Sequence, residues 1–405
     1  METTLRKDAD YIIHRAIAAV MPDKAVRKAL ENKIFPGRVI LVATGKAAWQ
    51  MANAAHGCIS VDSGIVITKY HHAKGSIGSL LIREAGHPTP DENSFSATQE
   101  ALDLVSGLQE TDTVLFLLSG GGSALFEAPL IPGTELQDIT QQLLSCGADI
   151  CEINTIRKRL SAVKGGKFAL ACMPAQVYTI VLSDVIGDKL DVIASGPAYP
   201  DSSTCADAIT IARKYALKLS ENAWTLLQKE TPKELNNVTT TVNGSVRQLC
   251  AAAADACREL GYEPQILTEE LTCQAKEAGA MLAQKLRTAT GNVAFIAGGE
   301  TVVKLTGNGK GGRNQQLALC AAPLIADLPG TALFSVGSDG TDGPTDAAGG
   351  FVDSTTAGRL GERLQLALEN NDSYHALKAV DGLIITGPTG TNVNDVAVAL
   401  HRERK

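Results

Sequence analysis

Ser119-Gly120-Gly121-Gly122-Ser123 is the segment of this chain with the clearest chemical capacity. It follows the apolar stretch Thr113–Leu118, which reads as a buried parallel strand. Three successive glycines strip the strand's carboxyl end of Cβ atoms, so backbone N–H groups can converge on an anion. Ligands of open α/β sheets bind at that end of the strands. A turn alone needs one glycine; three between two hydroxyls point to a cradle for a phosphate or carboxylate.

Lys46 follows an apolar strand at 38–44 and Gly45, at the first turn of a helix. A cation there opposes the helix dipole, and a residue placed against a local rule often serves a ligand. Beside helix N–H groups it makes an anion site of the P-loop kind. The sequence is not a Walker A motif, because Ala47 stands where Ser or Thr would be. Gly307-Asn308-Gly309-Lys310-Gly311-Gly312 matches GxGxxG between a strand and a helix, which supports an NAD(P)-dependent reading. No acidic residue follows at the usual spacing of about 20 residues. Lys310 and Arg313 add charge that suits a transferring phosphoryl group better. Thr389, Gly390 and Asn392 form another candidate cradle, able to hold a nucleotide phosphate or a carboxylate.

Asp339, Asp342 and Asp346 crowd a Gly/Pro-bent loop after the strand 333–336, and Asp184 and Asp188 follow another strand. Such carboxylates suit a Mg²⁺ site or a base. A helix expected over 153–172 carries Arg157, Lys158, Arg159, Lys164 and Lys167 and reads as a solvated basic face. Gly165-Gly166 inside it requires a bend or a close approach. His71, His72 and His87 each read as structural histidines, with a catalytic base as the alternative for one of them. GxSxG and HExxH are absent, against a serine hydrolase and a structural zinc.

These loops need strands to hold them. Strand-like and helix-like segments alternate almost throughout, which predicts an α/β fold with parallel sheets covered on both faces. At 405 residues the chain exceeds one core. The polar segment 231–237 sets an expected boundary, with domains at 1–236 and 237–405. A tail of helices, a strand at 382–386 and a short final helix is expected. The net charge of −7 argues against a nucleic-acid partner. Nine cysteines without a CxxC pair, no apolar leader and no long apolar run predict a cytoplasmic protein with reduced thiols and no membrane contact.

Seven ordered blocks together resemble the class II glycerate kinases, the glycerate 2-kinases of the MOFRL type. They are ATGKAAWQMA, LLSGGGSALFEAP, NTIRKRLSAVKGGKFA, LSDVIGDKLDVIASGPAYPD, GGETVVKLTGNGKGGRNQQLAL, SVGSDGTDGPTDAAGG and TGPTGTNVNDV. The resemblance implies a Rossmann-like first domain and a smaller second α/β domain, with the active site in the interdomain cleft. It implies transfer of the γ-phosphate of ATP, with Mg²⁺, to the 2-hydroxyl of D-glycerate. Lys46 and Arg313 would then be the two cations at the reacting phosphate. The Ser119–Ser123 loop would supply backbone donors. One of Asp184, Asp339 or Asp346 would hold Mg²⁺, and another would orient the attacking hydroxyl. The alternative is an NAD(P)-dependent hydroxypyruvate reductase. A homodimer is left open.

Overall fold

The computed structural model describes residues 2–403. Two compact units divide the chain, Pro22–Asn243 and Met1–Met21 with Gly244–Lys405. The expected boundary after 236 therefore shifts, and the N-terminal helix Glu2–Ala19 changes sides. Its polar face explains this. Asp8 accepts hydrogen bonds from the Tyr262 hydroxyl (2.6 Å) and Arg402 (2.7 Å), while Arg6 donates to the carbonyls of Asp381 and Leu383.

In the Pro22–Asn243 unit, strands β1 (Val39–Thr44), β2 (Ser63–Lys69), β3 (Leu81–Ala85), β4 (Thr113–Leu118), β5 (Gln176–Leu182) and β6 (Val238–Gly244) form one sheet. Their order is β3-β2-β1-β4-β5-β6, and the pairs β3/β2, β2/β1, β1/β4 and β4/β5 are parallel. This is the doubly wound order, whose direction reverses between β1 and β4. β1 and β4 are buried at every residue, as unbroken Val, Ile and Leu runs require of central parallel strands. Phe116 on β4 meets Phe126 and Phe168 in a ring cluster with centroids 4.8 to 5.6 Å apart. β6 was not expected; Val177 N–H on β5 donates to Asn237 O and draws that segment to the sheet edge. A separate apolar cluster joins the helices Gly133–Ser145, Ile150–Leu160, Cys205–Lys214 and Glu221–Leu227.

The second unit holds β7 (Glu263–Leu271), β8 (Val293–Gly299), β9 (Thr331–Gly337), β10 (Gly349–Asp353), β11 (Leu383–Ile384) and β12 (Asp395–His401), in the order β11-β10-β9-β12-β8-β7. Only β7/β8 is parallel here; the other pairings are antiparallel, which corrects the expectation of an all-parallel sheet. The expected final helix is instead β12, a central strand. Ala397 pairs with Ala297 on one side and Ser335 on the other. Val396–Leu400 is buried on both faces, so the run satisfies a central strand as well as a helix.

Among the described residues, no helix is long and apolar enough to cross a membrane.

Candidate active site

The reversal between β1 and β4 brings the two most informative sequence motifs together. Gly45, in the left-handed region (φ +117°), lies so close to Ser119 that a Cβ would stand 2.2 Å from the Ser119 hydroxyl. Lys46 N–H donates to Gly120 O (2.9 Å) and Ala47 N–H to Ser119 Oγ (3.1 Å). Ser119 N–H donates back to Thr44 O (3.0 Å). The Ser119 hydroxyl is thus a structural clamp rather than a ligand donor. The Ser123 hydroxyl is also engaged, 3.1 Å from that of Ser195. What remains of the expected cradle is backbone: the N–H groups of Gly120 and Gly121 have no acceptor among the described residues. Gly121 is left-handed (φ +88°), the conformation that turns consecutive N–H groups toward one anion. Gly122 packs on Ala194.

Charge surrounds this loop. Within the unit no carboxylate pairs with the half-buried Lys46 ammonium. Its chain runs beside Gly121, where a Cβ would lie 3.3 Å from Lys46 Cγ and 3.1–3.2 Å from the edge of the His87 ring. Burial and then the neighbouring Lys46, Lys69 and His72 push the His87 imidazole down to about 4, so it is neutral near pH 7. Asp184 stands against the loop's other side; a Cβ on Gly120 would meet its carboxylate at 2.3 Å.

Beneath the loop lies a buried ion cluster that the sequence did not reveal. The helix expected over 153–172 ends at Leu160, and Gly165 and Gly166 turn the chain with φ of +59° and +82°. The turn drives Lys164 inward. Its ammonium donates to Ser123 O (2.8 Å) and Phe126 O (3.0 Å) and pairs with Glu127 (3.4 Å). Burial pushes this ammonium down to about 8. Arg157 donates to the same Ser123 O (2.9 Å) and to Glu127 (3.2 Å). Farther along, Lys158 and Arg159 are buried around Asp201. The basic stretch is therefore not a solvated face. Its only sequence signal was the paired glycine.

In the other unit, Arg313 opens the helix Arg313–Ile325 and lines a cleft of about 470 Å³ with Gly309, Gly311, Gly312, Asp339 and Asp342. Asp395 at the start of β12 grips the guanidinium through Nε (2.6 Å) and Nη2 (3.1 Å), and Glu300 takes Nη1 (2.5 Å). Arg313 is therefore a fixed cation, not a free one. Burial opposes its charge, but Asp395 and Glu300 outweigh burial and raise its pKa. Burial pushes the Asp395 carboxyl up to about 6 despite the fork. Protonating Asp395 releases one face of the fork, so turnover should fall as the pH drops through about 6. Asp395→Asn should remove that acid limb and lower kcat at pH 8 by about 10-fold or more, in line with the loss of the group that orients the Arg313 guanidinium. A pH–rate profile of both proteins checks this.

The GxGxxG loop departs from a nucleotide seat. Its first four donors are already used: Gly307 N–H by Asn371, Asn308 by Asn370, Gly309 by Asn370 O and Lys310 by Asp372. The close approach these glycines permit is to 370–373, where a Cβ on Gly311 would sit 2.1 Å from Ser373 Oγ. Lys310 lies over the Tyr374 ring (4.5 Å), away from phosphate duty. A pyrophosphate would find no free amide donor on residues 307–310, which weakens the dinucleotide reading. At 389–392, the Thr389 hydroxyl donates to Ser338 O (2.6 Å), Gly390 turns with φ +89°, and Asn392 is exposed. That loop braces 338–341 rather than presenting a cradle.

The carboxylates separate likewise. Asp342 is buried and caps the Arg313 helix, accepting from Asn314 N (3.1 Å) and Gln315 N (2.8 Å), while burial raises its pKa. Asp339 lines the Arg313 cleft, whereas Asp346 is exposed and its bond with Tyr374 lowers its pKa. Among the described residues no three Asp, Glu, His or Cys side chains converge on a point fit for a metal ion. Asp339 and Asp346 therefore do not share a metal site with a third ligand.

The model of a domain of unknown function, DUF4147, matches residues 8–228, and that of the MOFRL family matches residues 293–395. A protein named D-glycerate 2-kinase from Thermotoga maritima is 51% identical over 98% of each chain. One named glycerate 2-kinase from Pyrococcus horikoshii is 40% identical over 96% of each. The crystal structure of glycerate kinase from Thermotoga maritima superposes with a TM-score of 0.95 at 50% identity, covering 98% of this chain and all of that one. With two family models in order and relatives matched end to end, the chain belongs to the MOFRL-type glycerate 2-kinase family.

Proposed function

We propose that this chain transfers the γ-phosphoryl group of ATP, with Mg²⁺, to the 2-hydroxyl of D-glycerate, giving 2-phosphoglycerate. The observation that carries the phosphoryl chemistry is the pair of unpartnered N–H groups at Gly120 and Gly121, beside Lys46, at the reversal of a doubly wound sheet. Phosphoryl transfer requires positioned positive charge and little covalent help from the protein. The two N–H groups and Lys46 bind and neutralise phosphate oxygens. In the other unit, Arg313 is held rigid by Asp395 and presents a preoriented cation to the cleft that it lines.

Mg²⁺ is commonly held by one or two carboxylates together with the substrate's phosphates. Asp184 against Gly120, and Asp339 on the Arg313 cleft, are hard oxygen donors of that kind. Either fits the ion without a preformed protein cage. When bound, the ion neutralises charge on the transferring oxygens.

Phosphorus NMR of the product from ATP and D-glycerate tests the proposal. Formation of ADP and 2-phosphoglycerate is expected. The 3-isomer alone would overturn the regiochemistry, and NADH oxidation with hydroxypyruvate in place of phosphorylation would overturn the reaction class.

A further inference from the structure

The sequence leaves His87 between a structural histidine and a catalytic base, and the structure gives it no structural task. Its ring is half-exposed, and neither ring nitrogen has a hydrogen-bond partner among the described residues. His72 Nδ1 contacts Lys46 O (3.1 Å), and the His56 ring packs on Gly78. His87 instead presents its Cδ2–Nε2 edge to the Cα of Gly121, on the same side as the Lys46 side chain. Glycine at 121 is what lets the ring and the lysine come this close to the main chain, since a Cβ there would touch both.

Resting on the phosphoryl-transfer reading above, we propose that His87 is a further catalytic residue, the group that takes the proton from the attacking hydroxyl of glycerate. The hydroxyl oxygen forms its bond to the γ-phosphorus while the bond from that phosphorus to the β–γ bridging oxygen breaks. The bridging electron pair leaves on ADP. The hydroxyl proton passes to the unprotonated nitrogen of His87, and the imidazolium then releases it to water.

The surroundings support that duty. A base must be unprotonated before it acts. Lys46, Lys69 and His72 face the ring, and with burial they keep it neutral at working pH. A proton gained late in the reaction would be shed quickly for the same reason. A ring pushed so low is a weak base, as a carboxylate in this role would also be; a loose transition state asks for little proton transfer until bond formation is advanced. Asp184 is the competing base on this loop, on the Gly120 side.

The test is a pair of variants. His87→Gln keeps hydrogen-bonding capacity but cannot accept a proton; kcat should fall about 100-fold, with both KM values within about threefold of the parent. His87→Ala should fall as far and recover at least about 10-fold in kcat when imidazole is added, because a general base can be supplied from solution. Melting curves that match the parent exclude a folding defect. Near-parental kcat in both variants, or a loss confined to KM, or no response to imidazole, would overturn the assignment. Phosphorylation by the parent enzyme is measured alongside. If the parent itself fails to phosphorylate glycerate, the functional reading falls; if only the His87 variants behave like the parent, this inference alone falls.

Discussion

Lys46→Met is expected to lower kcat by about 10³-fold, the scale on which single charge-stabilising groups act in acyl and phosphoryl transfer. The expectation rests on how little else the side chain does. Its main chain is engaged, through N–H to Gly120 O and O to His72, and both contacts survive the substitution. The ammonium pairs with no carboxylate in its own unit, so removing it strands no buried partner. The melting temperature should therefore stay close to that of the parent while turnover collapses. Lys46→Arg should recover only part of the loss, because a broad planar guanidinium does not reproduce a compact point charge. Steady-state kinetics beside thermal melts decide the matter, and kcat within about 10-fold of the parent in Lys46→Met would remove the lysine from the mechanism.

Asp201→Asn should have the largest effect on stability. Asp201 is buried and accepts from Lys158 Nζ (2.9 Å), Thr231 Oγ1 (2.7 Å) and Ser203 N (3.1 Å), with Arg159 at 3.7 Å. Neutralising it removes the carboxylate that two buried cations share, leaving Lys158 only Asp191 (4.0 Å) and Arg159 only Glu230 (3.5 Å). Breaking such a network from one side costs about 3–5 kcal/mol, which corresponds to a melting temperature lower by about 10 °C. Glu100→Gln in the exposed Arg83–Glu100 pair is the control, and should cost under about 1 kcal/mol.

The pH dependence has a definite sign. Burial raises the Asp201 carboxyl, but the bonds from Thr231 and Lys158 outweigh it and leave the pKa below the ordinary value. The unfolded chain then binds more protons than the native one as acid is added. The contribution is complete above the ordinary aspartate value of about 3.9 and is lost as pH falls through the lower native value. Acid titration of parent and variant should converge at low pH; a constant difference down to pH 2 would contradict the assignment.

How much of this was legible in the residues differs by element. β1 and β4 were readable because central parallel strands are continuous apolar runs, and their carboxyl ends were marked by Gly45-Lys46 and the triple glycine. Local composition carries such information directly. The N-terminal helix could not be assigned to a unit, because its partners, Tyr262, Asp381 and Arg402, lie hundreds of positions away. β12 was mistaken for a helix because a short run buried on both faces has no period to distinguish the two.

The site divides along the same line. Residue types and spacing determined that a lysine and a glycine loop follow two neighbouring strands, that an arginine opens a later helix, and that both halves are α/β. Tertiary packing alone decided which donors remain available. It consumed the Ser119 hydroxyl in a clamp and the amides of 307–310 on 370–372, turned Lys164 beneath the loop, locked Arg313 to Asp395, and left Gly120, Gly121 and His87 unengaged. A sequence records what each group can bind. Whether another part of the same chain has already bound it depends on contacts between distant positions, and those exist only once the chain has folded.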